Sequence, residues 1–175
     1  MAHNFTVYAD YHQFYVEDAQ TDAAQSAAPE FWSQEAFERG LAVARDMIAV
    51  GTARYGNVQV EVEIPDAEPD ANLDAWDQVN ECSIKLHSGT LLVRGCTQEV
   101  ESAQRFEVTP GTYRVRVFYG NLDTDDPDAE DGDDHYRVVL WPGEAIAPRV
   151  LKNYNVGDAQ GGDADDIVNE YSELE

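Results

Sequence analysis

The stretch Asn57-Val58-Gln59-Val60-Glu61-Val62-Glu63-Ile64 (NVQVEVEI) alternates without a break between apolar and polar side chains once Val58 is reached. A strand sends successive side chains to opposite faces. The pattern therefore predicts a half-buried strand with Val58, Val60, Val62 and Ile64 inward and Gln59, Glu61 and Glu63 outward. Pro65 ends it, having no N–H for the ladder. Upstream, residues 46–54 (DMIAVGTAR) read as a second strand, joined to the first by a short hairpin connection at Tyr55-Gly56-Asn57.

The same signals recur on both sides. Residues 79–86 and 90–95 read as a hairpin around His87-Ser88-Gly89, with Cys82, Ile84 and Leu86 inward. Residues 104–108 and 112–120 bracket the turn Thr109-Pro110-Gly111. Tyr113, Val115, Val117 and Tyr119 share one face of the second arm, and Arg114, Arg116 and Phe118 the other. Residues 135–141 form a strand stopped by Pro142-Gly143, and 5–9 and 13–17 are two short strands broken near Asp10-Tyr11-His12. One helix is expected over 33–46: Ser33 is a good N-cap, Glu35 suits the positive end of the dipole, and Phe37, Leu41, Ala44 and Met47 recur at helical spacing across Gly40. Trp32 is placed to staple its first turn. The alternating βα pattern of a parallel sheet is absent. The fold class is mainly β, an antiparallel β-sandwich of about eight to nine strands with one helix inserted after the second strand. Val58, Val60, Val62, Ile64, Ile84, Val115 and Val117 are its expected core.

At 175 residues and 43 % hydrophobic the chain is long enough for one domain with its own core. We expect a single β-sandwich domain over 1–155 and an acidic, mobile tail over 156–175, unless Ile167, Val168, Tyr171 and Leu174 dock as a short helix. No apolar run approaches the roughly 18 residues of a membrane span. Residues 1–10 lack the basic and apolar regions of a secretory signal, so the expected location is cytoplasmic. In a reducing compartment Cys82 and Cys96 are expected as free thiols rather than a disulfide.

The formal net charge is −24, from 35 acids and 11 bases. Residues 121–175 hold 16 of those acids and only three bases. Such a field repels nucleic acid and anionic membrane and speeds encounter with basic partners. General adaptation to salt explains the acidity equally well, and two lysines against nine arginines fit that too. The segment 121–134 (NLDTDDPDAEDGDD) has eight acids and no base, and 66–77 (DAEPDANLDAWD) is a second acidic loop.

No phosphate-binding glycine loop, dinucleotide fingerprint, HExxH, GxSxG or CxxC pair is present. Set against the calcium-binding EF-hand loop, Asp126, Asp128 and Glu130 put Asp131 where the sharp turn needs glycine, and the bidentate acid is missing near Val138. His87-Ser88 is the one serine–histidine neighbour pair, and the sequence offers it no orienting acid. His12, at a strand break beside Tyr11 and Gln13, is the most interesting of the four histidines. Tyr8, Tyr15 and Tyr55 are expected mostly in the core, with Trp76 the more exposed ring.

Three blocks in order resemble the competence protein J family. They are Tyr11-His12-Gln13-Phe14-Tyr15-Val16, the tryptophan-led helix with Phe31-Trp32, Ala36-Phe37 and Gly40-Leu41, and the strand Ile48-Ala49-Val50-Gly51-Thr52. Pro110-Gly111-x-Tyr113 and Tyr136-x-Val138-x-Leu140-Trp141-Pro142 fit the same layout, so the resemblance spans about 4–142. It implies a small cytoplasmic protein that inhibits a DNA-entry nuclease. The acidic segment 121–134 and the C-terminal tail are additions to that pattern.

The function expected is that of a non-catalytic acidic inhibitor or immunity-type protein, with no cofactor, no metal and no catalytic residues. Its partner is a basic protein, a nuclease; no nucleic acid is bound directly and no membrane. The partner-binding residues expected are Asp123, Asp125, Asp126, Asp128, Glu130, Asp131, Asp133 and Asp134, with His12 and Gln13 as the competing surface. Two other readings stay open: a calcium- or ligand-binding β-sandwich using 121–134, and a hydrolase or lyase with a carboxylate pair.

Overall fold

In the computed structural model, which describes residues 1–123 and 132–154, the NVQVEVEI stretch lies at the centre of the architecture. Eleven strands are present among the described residues: β1 Ala2–Ala9, β2 Gln13–Asp18, β3 Leu41–Val43, β4 Met47–Gly51, β5 Gly56–Glu63, β6 Gln78–Leu86, β7 Thr90–Gly95, β8 Gln104–Glu107, β9 Gly111–Gly120, β10 His135–Pro142 and β11 Arg149–Lys152. They form a six-stranded sheet, β1-β5-β10-β9-β6-β11, and a five-stranded sheet, β3-β4-β2-β7-β8. All pairings are antiparallel except β5 with β10. This is the mainly antiparallel β-sandwich the alternation predicts. The main core fills the space between the sheets. Val58, Val60, Val62, Ile84, Val115 and Val117 are buried there, while Ile64, at the strand end, is only partly buried.

The tight turns do something the sequence does not reveal. The links 52–55, His87-Ser88-Gly89 and 108–110 each carry the chain from one sheet to the other, as do Asp10–His12. The three expected hairpins are therefore crossings of the sandwich. Strands facing each other across a core show the same inward alternation as strands side by side, so the pattern cannot separate the two arrangements. Gly89 is required at its crossing: its φ is +80°, and a Cβ there would stand 3.2 Å from the Val108 carbonyl oxygen.

The helix is shorter than expected. It spans α1 Gln34–Arg39, with the Ser33 hydroxyl accepting from the Ala36 N–H at 3.2 Å. Gly40 lies just past its end, not inside it. At φ +70° its N–H closes the last turn on the Ala36 and Phe37 carbonyls. Leu41 and Met47 then belong to β3 and β4, which form a true hairpin. The Gly40 carbonyl accepts from the Tyr119 hydroxyl at 2.8 Å, and the Arg39 carbonyl accepts from the Asn80 amide at 2.7 Å. Side chains of the six-stranded sheet thus cap this end of the helix.

Both outer faces are partly covered. Phe31, Ala36, Tyr15, Ala42, Met47 and Ala49 pack outside the five-stranded sheet, and Val79, Phe118, Val139 and Trp141 outside the other, with Leu73 and Trp76 over them. β2, β4 and β7 are accordingly buried along nearly their whole length rather than at alternate residues. Arg116 is buried among it, 4.8 Å over the Trp141 ring and ion-paired with Glu81 at 3.2 Å. Cys82 and Cys96 are free; Cys82 is sealed in the core, where burial pushes its thiol up to about 12. Among the described residues no helix is long and apolar enough to cross a membrane. The tail 156–175 lies outside the described residues.

Candidate functional site

The register brings the 10–12 link and the described ends of the acidic segment to one end of the sandwich. Ala9 at the end of β1 pairs with Gly56 at the start of β5, and Gly120 at the end of β9 pairs with His135 at the start of β10. Since β5 and β10 run parallel, the links 10–12 and 52–55 and the described ends of 121–134 all gather there. The Thr52 N–H donates to the His12 carbonyl at 2.8 Å. The Ala53 N–H donates to the Tyr136 hydroxyl, which donates to Asp134 Oδ2, both at 2.7 Å. Arg54 Nε donates to Asp134 Oδ1 at 2.5 Å, closing a buried network that ties the base of the acidic segment to the 52–55 link.

Of the expected site acids, Asp123 and Asp133 are exposed. Asp125, Asp126, Asp128, Glu130 and Asp131 lie outside the described residues. Asp134 is a correction: it is 1 % exposed and bound to Arg54 and Tyr136, so its carboxylate offers nothing to a partner. The reason is strand parity. Asp134 stands on the same side as Tyr136, Val138 and Leu140, the inward face of β10. The base of the segment is fixed on the other side too, where the Leu122 N–H donates to Asp77 at 2.8 Å. Gln13 is half-buried and its amide oxygen accepts from the Trp32 indole at 3.0 Å, so it serves the fold on the α1 side. His12 is exposed.

Around His12 the structure assembles three exposed tyrosines, two of which, Tyr8 and Tyr55, were expected in the core. Tyr11 is 68 % exposed, Tyr8 44 % and Tyr55 37 %. Tyr55 is the hub, edge-on to Tyr8 at 5.9 Å, to His12 at 5.7 Å and to Tyr11 at 6.4 Å. Tyr15 is buried, and Trp76 packs against Phe118 and His135. One signal was legible: Val7 and Ala9 face the core, so Tyr8 between them must face out.

Two consecutive non-glycine residues here adopt left-handed backbone, Tyr11 at φ 55° and His12 at φ 57°. Each such residue costs on the order of 1–3 kcal/mol when its surroundings force it. Asp10 fixes the bend. Its carboxylate accepts from the Tyr11 N–H at 3.1 Å and the Thr97 hydroxyl at 2.7 Å, and from the Tyr55 hydroxyl. Those donors hold the Asp10 carboxyl below its ordinary range, the Tyr55 bond contributing most. The same bond pushes Tyr55 up to about 12. In an NMR pH titration Asp10→Asn should bring the Tyr55 hydroxyl back toward the ordinary tyrosine value of about 10. An unmoved Tyr55 would show that the bond does not set its ionisation.

Arg54 in the 52–55 link and Arg94 near the end of β7 are buried in ion pairs with Asp134 and Glu17. Among the described residues no three His, Cys, Asp or Glu side chains stand together to hold a metal. At the opposite end His87 Nε2 lies 3.1 Å from Asp46 and 3.3 Å from Asp18, the acids the sequence did not reveal. The Ser88 hydroxyl donates to Asp18 at 2.8 Å instead of to His87, which leaves the pair without a nucleophile–base contact.

No family profile matches the chain, and no curated protein matches it by sequence. Solved structures do match. The solved structure of crocagin biosynthetic gene J superposes with a TM-score of 0.56 at 20 % identity, covering 82 % of this chain and 98 % of its own. The crystal structure of ComJ from Bacillus subtilis, an inhibitor of the DNA-degrading activity of NucA, superposes with a TM-score of 0.60 at 16 % identity, covering 81 % of this chain and 96 % of its own. The chain therefore shares the fold of competence protein J, as the order of its sequence blocks implies.

Proposed function

We propose that this chain is a non-catalytic, acidic inhibitor of a nuclease, acting in the cytoplasm on a basic partner and binding neither nucleic acid nor membrane itself. The observation that carries the reading is the convergence of exposed acids and exposed rings at one end of a sandwich whose fold also builds a nuclease inhibitor. A nuclease holds phosphates in a cationic cleft, and fixed carboxylates satisfy the same cations. The acids Asp123, Asp125, Asp126, Asp128, Glu130, Asp131 and Asp133 supply the long-range attraction, and Asp134 supplies none.

The first test is whether the purified chain slows DNA degradation by NucA in proportion to its concentration; degradation at the uninhibited rate sinks the reading for that nuclease. The second replaces those seven acids by Asn or Gln and leaves Asp134 in place. Association should slow by about ten- to a hundredfold at low salt, and its salt dependence should flatten. Rim charges act on encounter, so dissociation should barely change. A parent-like association rate and salt slope would make 121–134 a solvated charge run and nothing more.

A further inference from the structure

The left-handed backbone at Tyr11 and His12 lies in the tight link that carries β1 into β2, and it buries neither side chain. Left-handed backbone at two adjacent non-glycine residues persists only where the surrounding structure over-determines it. Here Tyr11 is among the most exposed large side chains of the described chain, and His12 is exposed beside it. What the bend achieves is presentation: it projects both rings beyond the end of the sandwich, with Tyr55 set edge-on between them. The bend is rigid, because Asp10 is bonded to the Tyr11 N–H and Thr97, and the His12 carbonyl to the Thr52 N–H. Rings of two or three torsions held this way lose little entropy on docking, which is the property of an interface anchor.

The chemistry of the complementary surface can be read off. Asp10 is half-buried, and neutral donors alone keep its carboxylate ionised, so it seeks a cation. Tyrosine faces attract guanidinium and ammonium groups. The adjoining segment 121–134 adds acids and no base. All three ask for a cleft lined by Arg and Lys. In nucleic-acid-binding proteins such clefts take phosphates on their cations and stack bases beside them.

Resting on the inhibitor reading above, we propose that Tyr11, His12 and Tyr55 with the Asp10 carboxylate form the anchor that enters the DNA-binding cleft of the nuclease. The rings occupy the place of bases and Asp10 that of a phosphate. The acidic segment 121–134 speeds encounter, and the aromatic corner decides residence. Inhibition is then competitive with DNA.

The test uses the full chain with NucA as the probe. Tyr11→Asn and His12→Asn keep residues that accept left-handed backbone, so the bend is preserved while the rings are lost. Together they should raise the dissociation rate about tenfold or more, with association nearly unchanged and the Tm equal to or above the parent's. Increasing duplex DNA should relieve inhibition by the parent in a competitive pattern. If the parent inhibits NucA and the double variant dissociates at the parent's rate, the anchor lies elsewhere and the inhibitor reading survives without this proposal. A lowered Tm would show that the rings serve the fold, and would overturn the proposal likewise. A parent that leaves DNA degradation by NucA untouched removes the inhibitor reading and the anchor together.

Discussion

Val60→Asp is expected to leave no soluble folded protein. Val60 is 2 % exposed at the middle of β5, paired with Phe5 of β1 on one side and Tyr136 of β10 on the other. Its neighbours on the inner face are Val58 and Val62, and the buried cation at that end of the core, Arg54, is already paired with Asp134. A carboxylate there either stays charged without a partner or takes up a proton at a cost of several kcal/mol. The missing isopropyl group removes a further 1 kcal/mol or so of buried apolar surface. A domain holds only about 5–15 kcal/mol in total, so the sum exhausts most of it. Gln59→Asp is the control one residue away. Gln59 faces out, donating to the Thr6 hydroxyl at 2.9 Å, and the change should cost no more than about 1 kcal/mol. Far-UV circular dichroism and the soluble fraction of both variants decide it. Equal behaviour would mean that the strand is registered one residue out.

That prediction follows from eight residues of sequence, which shows where the chain is legible. Strand positions rest on a local, short-period pattern, and β5, β6, β9 and β10 all stand where their alternation puts them. Sheet membership rests on long-range pairing, which no local pattern encodes. The links at 52–55, 87–89 and 108–110 hence read as hairpins although each crosses the core. The helix end was misjudged for a different reason. Gly40 is compatible both with a helix interior and with a left-handed stop, and the apolar residues after it fit helical and strand periods alike. Only the Tyr119 and Asn80 side chains, from strands far along the chain, decide for the stop.

The candidate site was half legible. His12 and the acids of 121–134 are conspicuous as residue types, and the register places His12 and the described ends of that segment at one end. Gln13 and Asp134 were chosen by the same criterion but point to Trp32 and Arg54. Exposure of Tyr8 and Tyr55 was missed because aromatic rings are buried more often than not, and a statistical preference carries no information about one bend. The bend at Asp10-Tyr11-His12 depends on Thr97 and Tyr55, about 40 residues or more away in sequence, and on nothing local except Asp10 itself.

Asp134→Asn is expected to cost about 3 kcal/mol, read as a shift of the urea midpoint at unchanged slope. The carboxylate is buried against the Arg54 guanidinium at 2.5 Å and accepts from the Tyr136 hydroxyl at 2.7 Å. Asparagine keeps the volume but removes the charge opposite a buried cation, and its amide meets the Arg54 donors with donors of its own. Breaking one side of a buried pair typically costs about 3–5 kcal/mol; the Arg54 contact to the Asn57 carbonyl, 2.7 Å, keeps the figure near the lower end. Asp133→Asn, exposed next door, should move the midpoint by no more than about 0.5 kcal/mol. Replacing the pair together, Arg54→Met with Asp134→Leu, should recover only part of the loss. An apolar pair removes the buried charges, but it leaves the Tyr136 hydroxyl without its carboxylate acceptor, at about 1–3 kcal/mol for a buried polar group. Tyr136→Phe added to that pair then removes the stranded hydroxyl, and the Ala53 N–H it accepted from is left to solvent at the edge of the link. A double variant as stable as the parent would show that the network of Arg54, Asp134 and Tyr136 does not hold the acidic segment to the aromatic corner.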